Sequence, residues 1–89
     1  MPGMNNTELV QLAAVRSLAD SGRARSIRRA AGISLLEVAN AVGVRPSTIS
    51  RWESGQRAPR GDAALRYARL LHRLATREVG GTAIAEVQR

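Results

Sequence analysis

The sequence predicts an all-α protein, a compact bundle of about five short helices. Three observations carry that expectation. The apolar 44% of the chain contains no Phe and only Trp52 and Tyr67 as aromatics, so the core must rest on Leu, Ile, Val and Ala. Ala, the strongest helix former, is abundant. Apolar stripes at helical spacing are punctuated by capping residues and by glycines. At 89 residues the chain has room for one core and no second.

Each element follows in order. Residues 1–6 form a flexible leader. Asn6 or Thr7 caps a first helix, with Glu8 placed in its first turn, where a negative charge meets the helix dipole. Leu9, Leu12, Ala13 and Val15 are apolar positions of this helix. It runs to Ala19, and Asp20-Ser21-Gly22 ends it. A second helix, 23–31, places Ala24, Ile27 and Ala31 on its inner side and stops at Gly32. Ser34 caps a third helix and Glu37 sits three residues on, the capping-box spacing. Its buried stripe is Leu35, Val38, Ala39 and Val42, and Gly43 terminates it. Pro46 fits the first position of a fourth helix, where its missing N–H costs nothing. That helix ends at Ser54-Gly55, and QRAPRG is a loop. Asp62 caps a fifth helix, 63–77, with a wide apolar side and a polar stripe of Arg66, Arg69, Arg73 and Arg77. Gly80-Gly81 is expected to break any continuation. The division is thus a domain over 7–78 and a mobile tail over 79–89.

The most informative stretch is GISLLEVANAVGVRPSTISRWESG, residues 32–55. Two short helices are joined by a tight glycine turn, with small polar and basic side chains on the outside of the second. That is the layout of a helix-turn-helix, whose second helix enters the DNA major groove. Val38, Val42, Val44, Ile49 and Trp52 are apolar where the two helices must face each other. Ala39 lies at their crossing, where a larger residue would overpack the contact at roughly 1–3 kcal/mol. Gly43 permits positive φ at the turn. An ordinary packed helix pair is the competing reading of this window.

Charge points the same way. The net charge is +7, and all fourteen basic residues are Arg. An Arg-only, Ala-rich chain is also what a GC-rich genome writes, but codon usage does not explain where the charge sits. Between Ser21 and Arg60 eight Arg face only Glu37 and Glu53. Charge concentrated on the binding unit marks a polyanion ligand. These residues do not line one long amphipathic helix, as a membrane anchor would need. No run approaches the ~20 apolar residues of a membrane span. The opening MPGMNNTE lacks the features of a signal peptide, and cysteine is absent. A cytoplasmic, nucleoid-associated protein is expected.

The segments IRRAAGI, EVANAVGV and STISRWESGQRAP resemble the phage repressor/Cro-type (XRE-like) helix-turn-helix family, over about Ala24 to Leu74. SRWESG followed by a basic residue and Pro is the most specific part. The resemblance implies a lambda-repressor-like bundle that binds DNA operators, commonly as a symmetric dimer, and acts as a transcriptional regulator. It also implies that Arg28 pairs with Glu53, a carboxylate near the core side of its helix that is costly unless paired. Such a pair would be structural. Two departures stand out. Leu35 occupies a position where the family often has a phosphate-touching Gln, and Pro46 one where some relatives place a base-reading amide.

On a helical wheel stepped by about 100° per residue, Ile49 and Trp52 face the core, while Ser47, Ser50, Arg51 and Ser54 face away. Arg45, Ser47, Ser50 and Arg51 are the candidate base contacts, Arg51 by bidentate pairing with guanine. Thr48, Ser54, Arg57 and Arg60 are the candidate phosphate contacts. The competing readings are a solvated charge for Arg51 and a flexible basic loop for Arg57 and Arg60. Trp52 is expected in the core. His72 has no second ligand at helical spacing, and the serines have no accompanying base, so no metal, cofactor or catalytic site is expected.

The expected function is therefore a sequence-specific, double-stranded-DNA-binding repressor, homodimeric on a pseudo-palindromic operator, and not an enzyme. The alternative is an antitoxin or adaptor that uses the same fold to bind a protein partner.

Overall fold

A computed structural model describes the backbone of residues 3–88 and the side chains of residues 3–77. Among the described residues the chain forms α1 (Asn6–Ser21), α2 (Arg23–Ala30), α3 (Leu35–Val42), α4 (Pro46–Glu53) and α5 (Gly61–Gln88). There is no strand among them. α1 packs along α5, α2 fills the angle between them, and α3 lies against α4. One core joins all five helices, with Val15, Ile27, Val38, Ile49, Trp52, Tyr67 and Leu71 at its centre.

Local chemistry accounts for most boundaries. Ser34 Oγ accepts the Glu37 N–H at 3.0 Å, and Glu37 Oε1 accepts the Ser34 N–H at 2.9 Å, closing the expected capping box. Two otherwise orphaned donors of α3 are satisfied this way. Gly43 ends the helix with φ +87°, and Pro46 opens α4 at its first turn. Val38, Ala39 and Val42 are buried as the stripe requires, while Leu35 is only half-buried.

Expectations at both ends of the chain are corrected. The α1 cap is Asn5, not Asn6 or Thr7. Its side chain accepts the Glu8 N–H at 2.8 Å, and Glu8 Oε1 accepts the Asn5 N–H at 3.1 Å. The reciprocal pair needs Glu8 three residues after the cap, and only Asn5 satisfies that spacing. The helix therefore claims Asn6 from the expected leader, and it runs to Ser21 rather than Ala19. Leu9 and Ala13 are exposed, and the buried positions are Leu12, Val15 and Ala19.

At the other end, α5 does not stop at Gly80-Gly81 but continues to Gln88. Glycine costs roughly 1 kcal/mol in a helix relative to Ala, but it keeps its N–H and brings no clash, unlike Pro. Two glycines thus weaken a helix without forcing an end. The helix also starts earlier than expected, at Gly61, with Asp62 in its first turn. The mobile-tail expectation for 79–89 falls on side chains outside the described residues.

Candidate nucleic-acid interface

The presentation of α4 begins with its inner face. Ile49 and Trp52 are buried, and the indole lies 5.0 Å from the Tyr67 ring at a tilt of 38°. That contact ties the end of α4 to α5, while the helix itself packs on α3 and α1. The opposite face is open. Arg45, Ser47, Arg51 and Ser54 are exposed, and Thr48 and Ser50 are half-buried at its edges. Arg45 caps the helix through its extended backbone without a side-chain bond, so its guanidinium is not spent on the cap. The Ser54 hydroxyl donates to the Arg51 carbonyl at 3.2 Å. It keeps an acceptor oxygen for a ligand donor, but a phosphate needs its proton.

Glu53 is fixed in the wall behind this face. Its side chain is 2% exposed. Arg28 Nε donates to Oε2 at 2.6 Å and Arg28 Nη2 donates to Oε1 at 3.0 Å, a two-point clasp. Arg28 Nη1 also donates to the Ile33 carbonyl at 2.9 Å, tying the α2–α3 connection into the same cluster. The hydrogen bond it donates to Glu53 holds the Arg28 guanidinium above its ordinary pKa. Arg25, one turn earlier on the same face of α2, adds an outer contact at 3.4 Å. Sequence reasoning missed Arg25, although its i,i+3 spacing from Arg28 was a usable signal.

The turn after α4 gathers further positive charge. Gly55 takes φ +79°, and the Gln56 and Arg57 N–H groups both donate to the Arg51 carbonyl, at 2.9 and 3.3 Å. The chain thereby folds back over the last turn of α4. Pro59, within the loop, is fully buried. The result is a cleft of about 230 Å³ in which Thr48, Arg51, Arg57 and Arg60 meet beside Trp52 and Ala58. No carboxylate lines it. Four of the eight candidate DNA-contact residues thus share one basic cleft. Arg45, Ser47, Ser50 and Ser54 do not line it and belong to the open face of the helix.

Two further arginine contacts were not foreseen. Arg66 Nε donates to the Val42 carbonyl at 2.7 Å, so the fifth helix satisfies the C-terminal end of α3. Arg16 Nε donates to the Pro59 carbonyl at 2.8 Å, from a helix far away in sequence. Neither has a local sequence signal, because both depend on tertiary packing.

Among the described residues no three His, Cys, Asp or Glu side chains come together as a metal site. No helix among them is long and apolar enough to cross a membrane. Neither curated proteins nor solved structures yield a significant match to this chain. The helix-turn-helix family model does match, over residues 25–76, from α2 through the first half of α5. With α3 and α4 in the paired geometry and the outer face of α4 open, the chain belongs to the phage repressor/Cro-type helix-turn-helix family of DNA-binding regulators.

Proposed function

We infer that the protein is a sequence-specific repressor that reads double-stranded DNA with α4 in the major groove. One observation carries the reading above all: α4 holds a slim Ser/Arg face outward while its other side is fixed by Ile49, Trp52 and the Arg28–Glu53 clasp. A groove-reading helix needs both a surface narrow enough to enter and a rigid mount. Arg45, Ser47, Ser50 and Arg51 contact base edges. Thr48, Arg57 and Arg60 contact the sugar-phosphate backbone and set the register, and Ser54 joins them by turning its hydroxyl proton from the Arg51 carbonyl to a phosphate oxygen. Arg28 and Glu53 contribute by holding the helix.

Repression follows from occupancy of the operator by two copies of the chain. A two-fold pair requires a pseudo-palindromic site with half-sites about one helical turn apart. The protein acts in the cytoplasm, at the nucleoid.

Selection of binding sites from random duplexes tests this reading directly. A recovered inverted repeat supports both base readout and the pair of copies. Affinity must also fall steeply with salt, because phosphate contacts release counterions. A protein-docking role as an antitoxin or adaptor gives the opposite result, with no enriched sequence and little salt dependence.

A further inference from the structure

We propose that Arg16 of α1 is a DNA-phosphate ligand, completing with Arg57 and Arg60 a second basic cleft on the flank of the recognition helix. The inference rests on the DNA-binding reading above and extends it to a helix that lies outside the family-matched residues 25–76.

A cleft of about 610 Å³ is lined by Arg16, Gln56, Arg57, Ala58 and Arg60. Three guanidiniums and one amide surround it, with no carboxylate in the lining. Like charges gathered in one concavity repel one another and are relieved by an anion. The fold holds them there at two points. Arg16 Nε donates to the Pro59 carbonyl, and Pro59 itself is fully buried, so the loop that bears Arg57 and Arg60 is pinned to α1. That single bond uses one of the five N–H donors of Arg16. Its terminal Nη groups make no hydrogen bond or ion pair among the described residues. Asp20, one turn further along α1, lines an adjoining cleft and forms no ion pair with Arg16 or Arg57.

The position of the cleft identifies the anion. It shares Arg57, Ala58 and Arg60 with the cleft that contains Thr48 and Arg51. The two adjoin through those three residues, so an anion held by Arg16 lies next to the backbone phosphate assigned to Thr48, Arg57 and Arg60. The recognition loop thus has a basic residue on each side, one from α4 and one from α1.

The test uses the duplex recovered by site selection and measures binding at several salt concentrations. Arg16→Gln keeps a side-chain donor that can reach toward Pro59 but removes the charge. Arg16→Lys keeps the charge. Loss of one phosphate contact should reduce the slope of log K against log salt by about 0.9 in Arg16→Gln. Arg16→Lys should retain the wild-type slope, and base preference should be unchanged in both. A methylphosphonate scan supplies an independent readout that needs only folded wild type and Arg16→Lys. One phosphate, next to that neutralised by Arg57, should weaken both proteins when its charge is removed.

An unchanged slope in Arg16→Gln, alongside a reduced slope in Arg57→Ala, overturns the role of Arg16 and leaves the DNA reading intact. Equal losses of affinity in Arg16→Gln and Arg16→Lys without any change of slope also overturn it, leaving only the bond to Pro59. If wild type binds no duplex at all, the DNA reading fails and this inference fails with it.

Discussion

Arg28 grips Glu53 through two nitrogens while a third reaches the Ile33 carbonyl, so one side chain joins α2, the α2–α3 connection and α4. Removing it leaves a buried carboxylate and a backbone oxygen without their main donor. Breaking a buried pair from one side costs roughly 3–5 kcal/mol. Arg28→Ala should lose stability on that scale in denaturant melts. Arg29→Ala, one residue on and exposed, should stay within about 0.5 kcal/mol of wild type. Equal melts for the two would show that the clasp does not hold the helix.

Tyr67 offers a test in the opposite direction. Its ring is fully buried against Trp52, yet its hydroxyl has no hydrogen-bond partner among the described residues. A buried polar group without a partner costs about 1–3 kcal/mol. Tyr67→Phe should therefore leave stability unchanged or raise it by up to about 1 kcal/mol, read as a higher Tm. Burial first, and the Glu53 charge second, push the phenol pKa well above its ordinary value. The folded state thus keeps a proton that the unfolded state releases. Stability is full below the unfolded tyrosine value of about 10 and falls as pH rises through it. Tyr67→Phe should abolish that part of the alkaline loss, and as the chain's one tyrosine it gives a clean ultraviolet titration.

The α3 capping box has an acid signature. The Ser34 backbone N–H, and then its hydroxyl, hold the Glu37 carboxyl below its ordinary pKa. A depressed carboxyl contributes stability that is present above its unfolded value and lost as pH falls through the folded one. Glu37→Gln should flatten the acid limb of a stability-pH curve below about 4.3. Ser34→Ala should cost about 1 kcal/mol at neutral pH, by loss of the cap.

Gly43 joins the two helices of the motif at φ +87°. A Cβ there would also meet Arg66 Nη2 at 3.4 Å, close to the guanidinium that serves the Val42 carbonyl. Strain of roughly 1–2 kcal/mol from the left-handed backbone is expected for Gly43→Ala. Arg66→Ala should relieve none of it, because the strain lies in the backbone. A double-mutant cycle on thermal melts checks that independence.

On DNA, Arg51→Ala should relax the preferred sequence by the roughly 1–3 kcal/mol that a bidentate base contact discriminates. Arg57→Ala should weaken all duplexes alike and lower the salt slope by about 0.9. Competition binding with matched and mismatched duplexes separates the two. If both variants kept wild-type affinity and preference, the division into base and phosphate contacts would be wrong.

What could be read from the sequence is whatever depends on neighbours in the chain. Ser34 with Glu37, Gly43, and Pro46 at the head of α4 each work within one helical turn, and each occurs where its spacing indicated. The outward face of α4 followed from the inward pull of Ile49 and Trp52. Arg28 was legible through family resemblance, since helical spacing alone does not choose a partner across 25 residues. The bonds of Arg16 to Pro59 and of Arg66 to Val42 link distant segments, and nothing local announces them. The end of α5 was misjudged because glycine lowers helix propensity without enforcing a stop.

Gly22 closes α1 and opens α2 as a single residue at φ +87°, with no linker between the two helices. The joint therefore has no slack. One residue inserted within α1 between Arg16 and Gly22 would turn the part that bears Arg16 by about 100° relative to the motif and carry it away from Pro59. The added helix is indexed to the DNA-reading unit like a gear to its shaft, and length changes there shift its phase rather than its reach.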